Sequence, residues 1–269
     1  MTPPLRRRTA WRRMIGLGLG TVLLTMFACG TGTPPTPTTA PPVVPKETNL
    51  PTATIPPLYL SVSLGEVPVK EQGTLPTYTI DAQVPVLQGS ADQRVTKFNN
   101  EMTLLIQQEI SVFKDNVREL APVPNSNGST FKVQYTLLSE PGNLISLKFD
   151  IMVSIAGTAN RRAHSRTVTY DLEAGSDVTL DKLFRPGSTY LQVISNYCLA
   201  QLKPKIPNLV ASGVDAIPSN YQSWNITMNG LMITFDENQV AADAQQVVIP
   251  YADLNEVIDP KGPLASFQP

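Results

Sequence analysis

The chain has 269 residues and a formal net charge of −1 at pH 7. The charge is uneven: the first 28 residues hold five arginines (Arg6, Arg7, Arg8, Arg12, Arg13) and no acid, and the remainder carries 16 basic against 22 acidic residues, a net of −6. That balance excludes a general nucleic-acid binder, because neutralising phosphates takes a basic surface; two cysteines, Cys29 and Cys198, make neither a disulfide framework nor a zinc motif.

The basic start leads into an apolar run from Met14 to Ala28, 15 residues long. A helix needs roughly 20 apolar residues to span a bilayer, so the pattern reads as an export signal over residues 1–28. The run ends in Met26-Phe27-Ala28-Cys29-Gly30, which resembles a bacterial lipobox. The resemblance implies that Cys29 carries lipid and that the mature protein is held at the cell membrane, facing the extracytoplasmic side. An uncleaved signal anchor is the alternative. Residues 29–57 follow as a linker. From Thr31 to Pro57 there are nine prolines in 27 residues. Such a segment cannot bury a core and is expected to extend, reaching about 80 Å at ~3.1 Å per residue.

The first expected strand is Leu75–Leu87, where apolar and polar residues alternate. A helix is expected from Ala91 to about Leu120, opened by a capping box of Ser90 and Gln93. Val95, Phe98, Met102, Leu105, Ile106, Ile110, Phe113 and Val117 mark its apolar face. Strands near Phe131–Leu138 and Leu144–Ile155 come next. Then Gly157–Asp171 holds the chain's one histidine, His164, beside Arg161, Arg162 and Arg166. A turn at Thr179–Gly187 precedes a second helix, about Ser188 to Leu202, with Leu191, Ile194, Cys198 and Leu202 on one face. Ser223–Phe235 reads as a hairpin turning at Asn229-Gly230, and Gln245–Tyr251 as a last strand. The expected fold is α+β, with mostly antiparallel sheets and two main helices packed on them. Residues 58–155 and 156–269 divide it into two regions that could also be one unit.

The later part of this pattern resembles the extracytoplasmic domain shared by the RsiV anti-sigma factor and the PdaC peptidoglycan deacetylase. Ala163-His164, Tyr170-Asp171-Leu172-Glu173-Ala174-Gly175, Leu180, Leu183, Phe184, Phe235, Val240-Ala241 and Ile249-Pro250-Tyr251 carry the resemblance, in the family's order. Leu58–Ile155 resembles its usual N-terminal companion. Asn160-Arg161-Arg162 stands where the family has glycines. The resemblance implies a cell-envelope module, and RsiV links it to lysozyme binding. The basic start is too short for a sigma-binding domain and no deacetylase domain is visible, so neither activity is expected.

Single residues add little chemistry. His164 has no nucleophile motif or second metal ligand near it in sequence, and reads mainly as part of a strand. Arg161, Arg162, His164 and Arg166 form a possible ligand surface, because guanidinium groups bind carboxylates and phosphates in pairs of hydrogen bonds. Asp171, Glu173, Asp177 and Asp181 miss the spacing of a calcium loop and read as a hairpin tip. Cys198, Tyr221 and Trp224 read as core. No catalytic residue, cofactor or metal is expected. The function expected is a non-catalytic lipoprotein that binds or senses an extracytoplasmic protein, such as a lysozyme-like one, or a wall ligand such as peptidoglycan. The alternative is an envelope enzyme acting on peptidoglycan, or an accessory subunit of one.

Overall fold

The computed structural model describes residues 57–119, 128–139, 142–158 and 161–267. The expected signal peptide, Cys29 and the linker up to Pro56 lie outside the described residues. Ala53–Pro269 form one compact unit. Among the described residues, no helix is long and apolar enough to cross a membrane.

Two strands, β1 (Ser63–Thr74) and β2 (Thr77–Gln88), pair antiparallel as a hairpin. Helix α1 (Gln93–Arg118) follows, and β3 (Ser129–Ser139) returns parallel to β2. A parallel neighbour needs a long crossover, and α1 is that crossover. Then β4 (Leu144–Ser154), β5 (Arg161–Asp171) and the short β6 (Ser176–Asp177) add on antiparallel, completing a six-stranded sheet in sequence order. Because β5 pairs with β4 along its length, the sheet runs across the 155/156 boundary.

Helix α2 (Tyr190–Leu202) leads to a second sheet of β7 (Trp224–Thr227), β8 (Gly230–Phe235) and β9 (Gln245–Ile249), also antiparallel. The fold is therefore α+β, with two helices and mostly antiparallel sheets.

Each helix covers one sheet. Val95, Phe98, Met102, Ile106, Phe113 and Val117 of α1 bury against Ile80, Phe131, Phe149, Ile151 and Tyr170. Each large side chain so buried contributes about 1.5–3 kcal/mol of transfer free energy. Ile194, Cys198 and Leu202 of α2 bury against Ile226, Ile233, Phe235 and Ile249. Trp224 and Tyr221 belong to this second core, and burial pushes the Cys198 thiol up to about 12.

Two local expectations shift by a residue or two. Asp92, not Ser90, caps α1: its carboxylate accepts from the Arg94 N–H at 2.8 Å and holds the Arg94 guanidinium. A charged acceptor next to the first helical residue wins over a hydroxyl two residues further back, which instead accepts from the Asp92 N–H. The second hairpin turns at Met228-Asn229, because Thr227 pairs with Gly230. Asn229 keeps a negative φ, so this is not the expected primed turn. Gly230 is needed for another reason: at φ 155°, a Cβ there would lie 2.1 Å from the Ile249 carbonyl oxygen.

Candidate functional site

Strand β5 decides where the candidate residues point. Its even-numbered residues pair with odd-numbered residues of β4: Arg162 with Val153, His164 with Ile151, Arg166 with Phe149. These β4 partners pack in or against the core under α1. Side chains alternate along a strand, so Arg162, His164 and Arg166 share the α1 face. Arg161 lies on the opposite face, its guanidinium against the Met152 sulfur. The four candidates are thus split between two surfaces.

Two of them are occupied within the protein. Glu109 on α1 accepts from His164 Nε2 at 3.1 Å and from Arg166 Nε at 2.7 Å, one carboxylate oxygen each. A carboxylate only accepts, so Nε2 carries a proton and is not available as a base. The Glu109 side chain is 12% exposed. The hydrogen bond from His164, helped by Arg166 and opposed by burial, holds its carboxyl at about 2. Glu109 was missing from the sequence reading. It lies 55 residues before His164, and no local pattern connects them.

Arg162 is different. It is exposed and has no acidic partner among the described residues. It borders a cleft of about 580 Å³ between the second half of α1 and strands β3–β5. Val112, Phe113, Phe131, Val153 and Ile155 make the cleft's apolar part. Glu109, Asn116, Glu119 and His164 add polar groups. Val112 is 59% exposed there. The combination suits a ligand with an apolar body and an acidic group.

The expected hairpin tip holds the acids apart in separate local roles. Asp171 accepts from the Glu173 and Ala174 N–H groups. Glu173 accepts from Asn143 Nδ2. Asp181 accepts from the Thr179 hydroxyl. No group of three or more metal-ligating side chains occurs among the described residues. The tip itself is gripped by α1: Lys97 Nζ donates to the Gly175 carbonyl at 2.7 Å and Arg94 reaches the Glu173 carbonyl. Gly175 is required by its φ of 63° and by Arg94, whose Cγ would be 2.7 Å from an added Cβ.

The other face of β5 was not singled out by sequence at all. It meets the second sheet across a polar seam. Of the nine buried polar residues among the described residues, six lie there: Ser146, Lys148, Ser165, Thr169, Asn225 and Thr234. At one end the seam is closed. Asn225 Nδ2 donates to Ser146 Oγ and to the Leu147 carbonyl, and the Ile226 N–H also donates to Ser146 Oγ. With two donors on it, Ser146 Oγ gives its own proton to Thr169 Oγ1, 3.1 Å away. Further along, Thr167 Oγ1 accepts from the Trp224 N–H and Asp236 accepts from the Ser165 N–H.

Comparison with known proteins agrees with this architecture. Residues 181–252, from the turn before α2 to the end of the second sheet, match the model of a family described as "Protein of unknown function (DUF3298)". A DUF3298 family member from Bacteroides fragilis has a similar structure, with TM-score 0.60 and 11% identity, covering 77% of this chain and 96% of that one. A DUF3298 family protein from Pseudomonas aeruginosa PAO1 is similar with TM-score 0.51 and 13% identity, covering 74% and 95%. At these identities the likeness shows a shared fold. No curated protein matches the chain.

Proposed function

We propose that the protein is a non-catalytic, lipid-anchored binding module of the cell envelope, recognising an extracytoplasmic protein or a wall ligand. The observation that carries this reading is Arg162 beside the 580 Å³ cleft. Its neighbours His164 and Arg166 are spent on Glu109, which leaves Arg162 as the charge facing a ligand. A guanidinium with no internal carboxylate can form a two-pronged bond to an incoming one. The apolar wall beside it adds contact area without chemistry. The lipobox-like sequence ending at Cys29 and the proline-rich stretch behind it support display outside the membrane. The resemblance to the RsiV and PdaC domain supports a lysozyme-like protein or peptidoglycan as the partner.

The full-length protein in detergent is incubated with immobilised lysozyme and with purified peptidoglycan. Capture by either is expected to weaken from low to high salt, because exposed charge contacts are screened over about 8 Å at physiological ionic strength. Arg162→Gln is expected to weaken capture about tenfold, the loss of one charge-assisted pair. Equal capture of wild type and Arg162→Gln removes this cleft from the reading. Fatty-acid labelling that Cys29→Ser abolishes is the expected result for the anchor; an unlabelled wild type contradicts it.

A further inference from the structure

We infer that the open end of the polar seam between the two sheets is a second binding groove, for an uncharged saccharide chain. The site lies mostly on the face of β5 opposite the Arg162 cleft; His164 borders both, and Arg162 borders only the cleft.

Packed sheets ordinarily bury apolar side chains between them. Here, beside the buried Met232, the facing positions include Ser146, Lys148, Ser165 and Thr169 from the first sheet and Asn225 and Thr234 from the second. Such a seam gives up hydrophobic stabilisation, and it does not fully satisfy itself. Thr234 Oγ1, beside the larger cavity at the open end, is buried without a hydrogen-bond partner among the described residues. Buried polar groups left unpaired cost stability, so their retention points to a use.

Beyond the closed Asn225 end, the seam opens into two adjoining cavities of about 420 and 210 Å³, which share His164, Ser165 and Asp236 as wall. The larger is bordered by Lys148, Asp150, Thr234 and Gln246. The smaller is bordered by Arg166, Asn220, Gln222 and Gln239. Lys148, Asp150 and Arg166 are charge-matched within the protein. Lys148 is ion-paired with Asp150, two residues along β4. Asp236 holds the Ser165 N–H, and Arg166 is bound to Glu109. The Asp236 carboxylate has no cationic partner among the described residues, so the groove disfavours anions and offers hydroxyl groups a strong acceptor. It also presents acceptors, donors and hydroxyl or amide groups that do both, side by side. Saccharide hydroxyls donate and accept in the same way. Met152, Ala163 and Ala244 add small apolar patches that fit the C–H faces of a sugar ring. The turn that carries Asp236 is fixed from behind: Gln239 Oε1 accepts from the Asp236 N–H, while Gln239 Nε2 donates to the Gly213 and Asn220 carbonyls. The wall is built before any ligand arrives, which lowers the ordering cost of binding.

The test titrates the full-length protein in detergent with chitotetraose and with cellotetraose, uncharged chains with and without acetamido groups. Calorimetry is run at about 50 and about 500 mM salt, where screening removes exposed charge contacts. Saturable binding of at least one chain is expected, with an affinity that changes less than about twofold with salt. Ala244→Trp fills the larger cavity and is expected to weaken binding at least about tenfold, while Gln246→Ala weakens it about threefold to tenfold, the loss of one or two neutral hydrogen bonds. Gln246→Ala keeps the test decisive if the bulky variant does not melt like wild type. Arg162→Gln is expected to leave saccharide binding unchanged, so failure of the cleft and failure of the groove read out separately. The inference is overturned if neither chain binds, if both variants bind as wild type does, or if binding disappears at high salt.

Discussion

The two faces of β5 solve the same problem in different ways. On the α1 face, Glu109 holds His164 and Arg166, Arg162 stays exposed beside the cleft, and Val168 and Tyr170 go into an apolar core. On the opposite face, neutral groups are matched with neutral groups: Ser146, Thr169 and Asn225 form one hydrogen-bonded cluster. The first arrangement responds to pH and salt. The cluster of Ser146, Thr169 and Asn225 does not, although the same seam also carries the Lys148–Asp150 pair and Asp236. The difference teaches that a single strand can hold an ionic latch on one face and a neutral hydrogen-bonded cluster on the other, because its side chains alternate.

The largest expected effect comes from breaking the neutral face. Asn225→Ala removes the donor to Leu147 O and to Ser146 Oγ from a fully buried site, so it should cost about 2–4 kcal/mol by urea unfolding, the penalty for orphaned buried groups plus the small cavity. A loss below about 0.5 kcal/mol, the range of ordinary surface changes, would show that the seam is not what joins the sheets.

The ionic face should give less. Glu109→Ala leaves two partly exposed donors, His164 and Arg166, without their acceptor, and is expected to cost about 1–2 kcal/mol, because water can resolvate them where it cannot reach Leu147 O. The pH dependence sharpens the contrast. The folded pKa of Glu109 is lowered to about 2 from an ordinary 4.5. A lowered carboxyl stabilises the fold fully above its unfolded value and loses that contribution as pH falls through its folded value. The stability difference between wild type and Glu109→Gln should therefore shrink as pH falls from about 5 towards pH 2, read from urea melts at each pH. The difference between wild type and Asn225→Ala should stay flat over the same range. A flat profile for Glu109→Gln would remove the ionic account.

These contrasts also mark what was legible in the sequence. The α1 face was: Val95, Phe98, Met102, Ile106, Phe113 and Val117 recur at helical period, and all are buried. Period is a local property, so a chain can be read for it. Strand β1 was missed because it is an edge strand whose outward positions, Glu66, Pro68, Lys70 and Gln72, are exposed and, Pro68 apart, polar, so its alternation never presents a full apolar face. The hairpin turn was displaced by one residue because Asn-Gly signals φ > 0 at both turn positions, while Gly230 answers to the nearness of Ile249 instead. Both faces of the candidate site depend on contacts of 55 residues or more, Glu109 to His164 and Ser146 to Asn225 among them. Glu109 looked like any polar residue of a helix surface. Ser146, inside the strand Leu144–Ser154, looked like a break in an apolar run.

The smallest effect is expected at the residue that stood out most. His164→Gln keeps a side chain with an amide N–H within reach of Glu109 Oε2, now 3.1 Å from the imidazole. It removes a ring that is 33% exposed, so little apolar contact is lost. Arg166 still holds the other oxygen at 2.7 Å. The cost should stay within about 0.5 kcal/mol, as for other partly exposed substitutions that preserve a hydrogen bond. Binding at the Arg162 cleft and in the groove behind β5 should both persist, since the His164 Nε2 is already held by Glu109. A His164→Gln protein that is as stable as wild type yet fails to bind either kind of ligand would move the histidine from a latch component to a contact residue. The ionic face would then have to be read as a site in its own right.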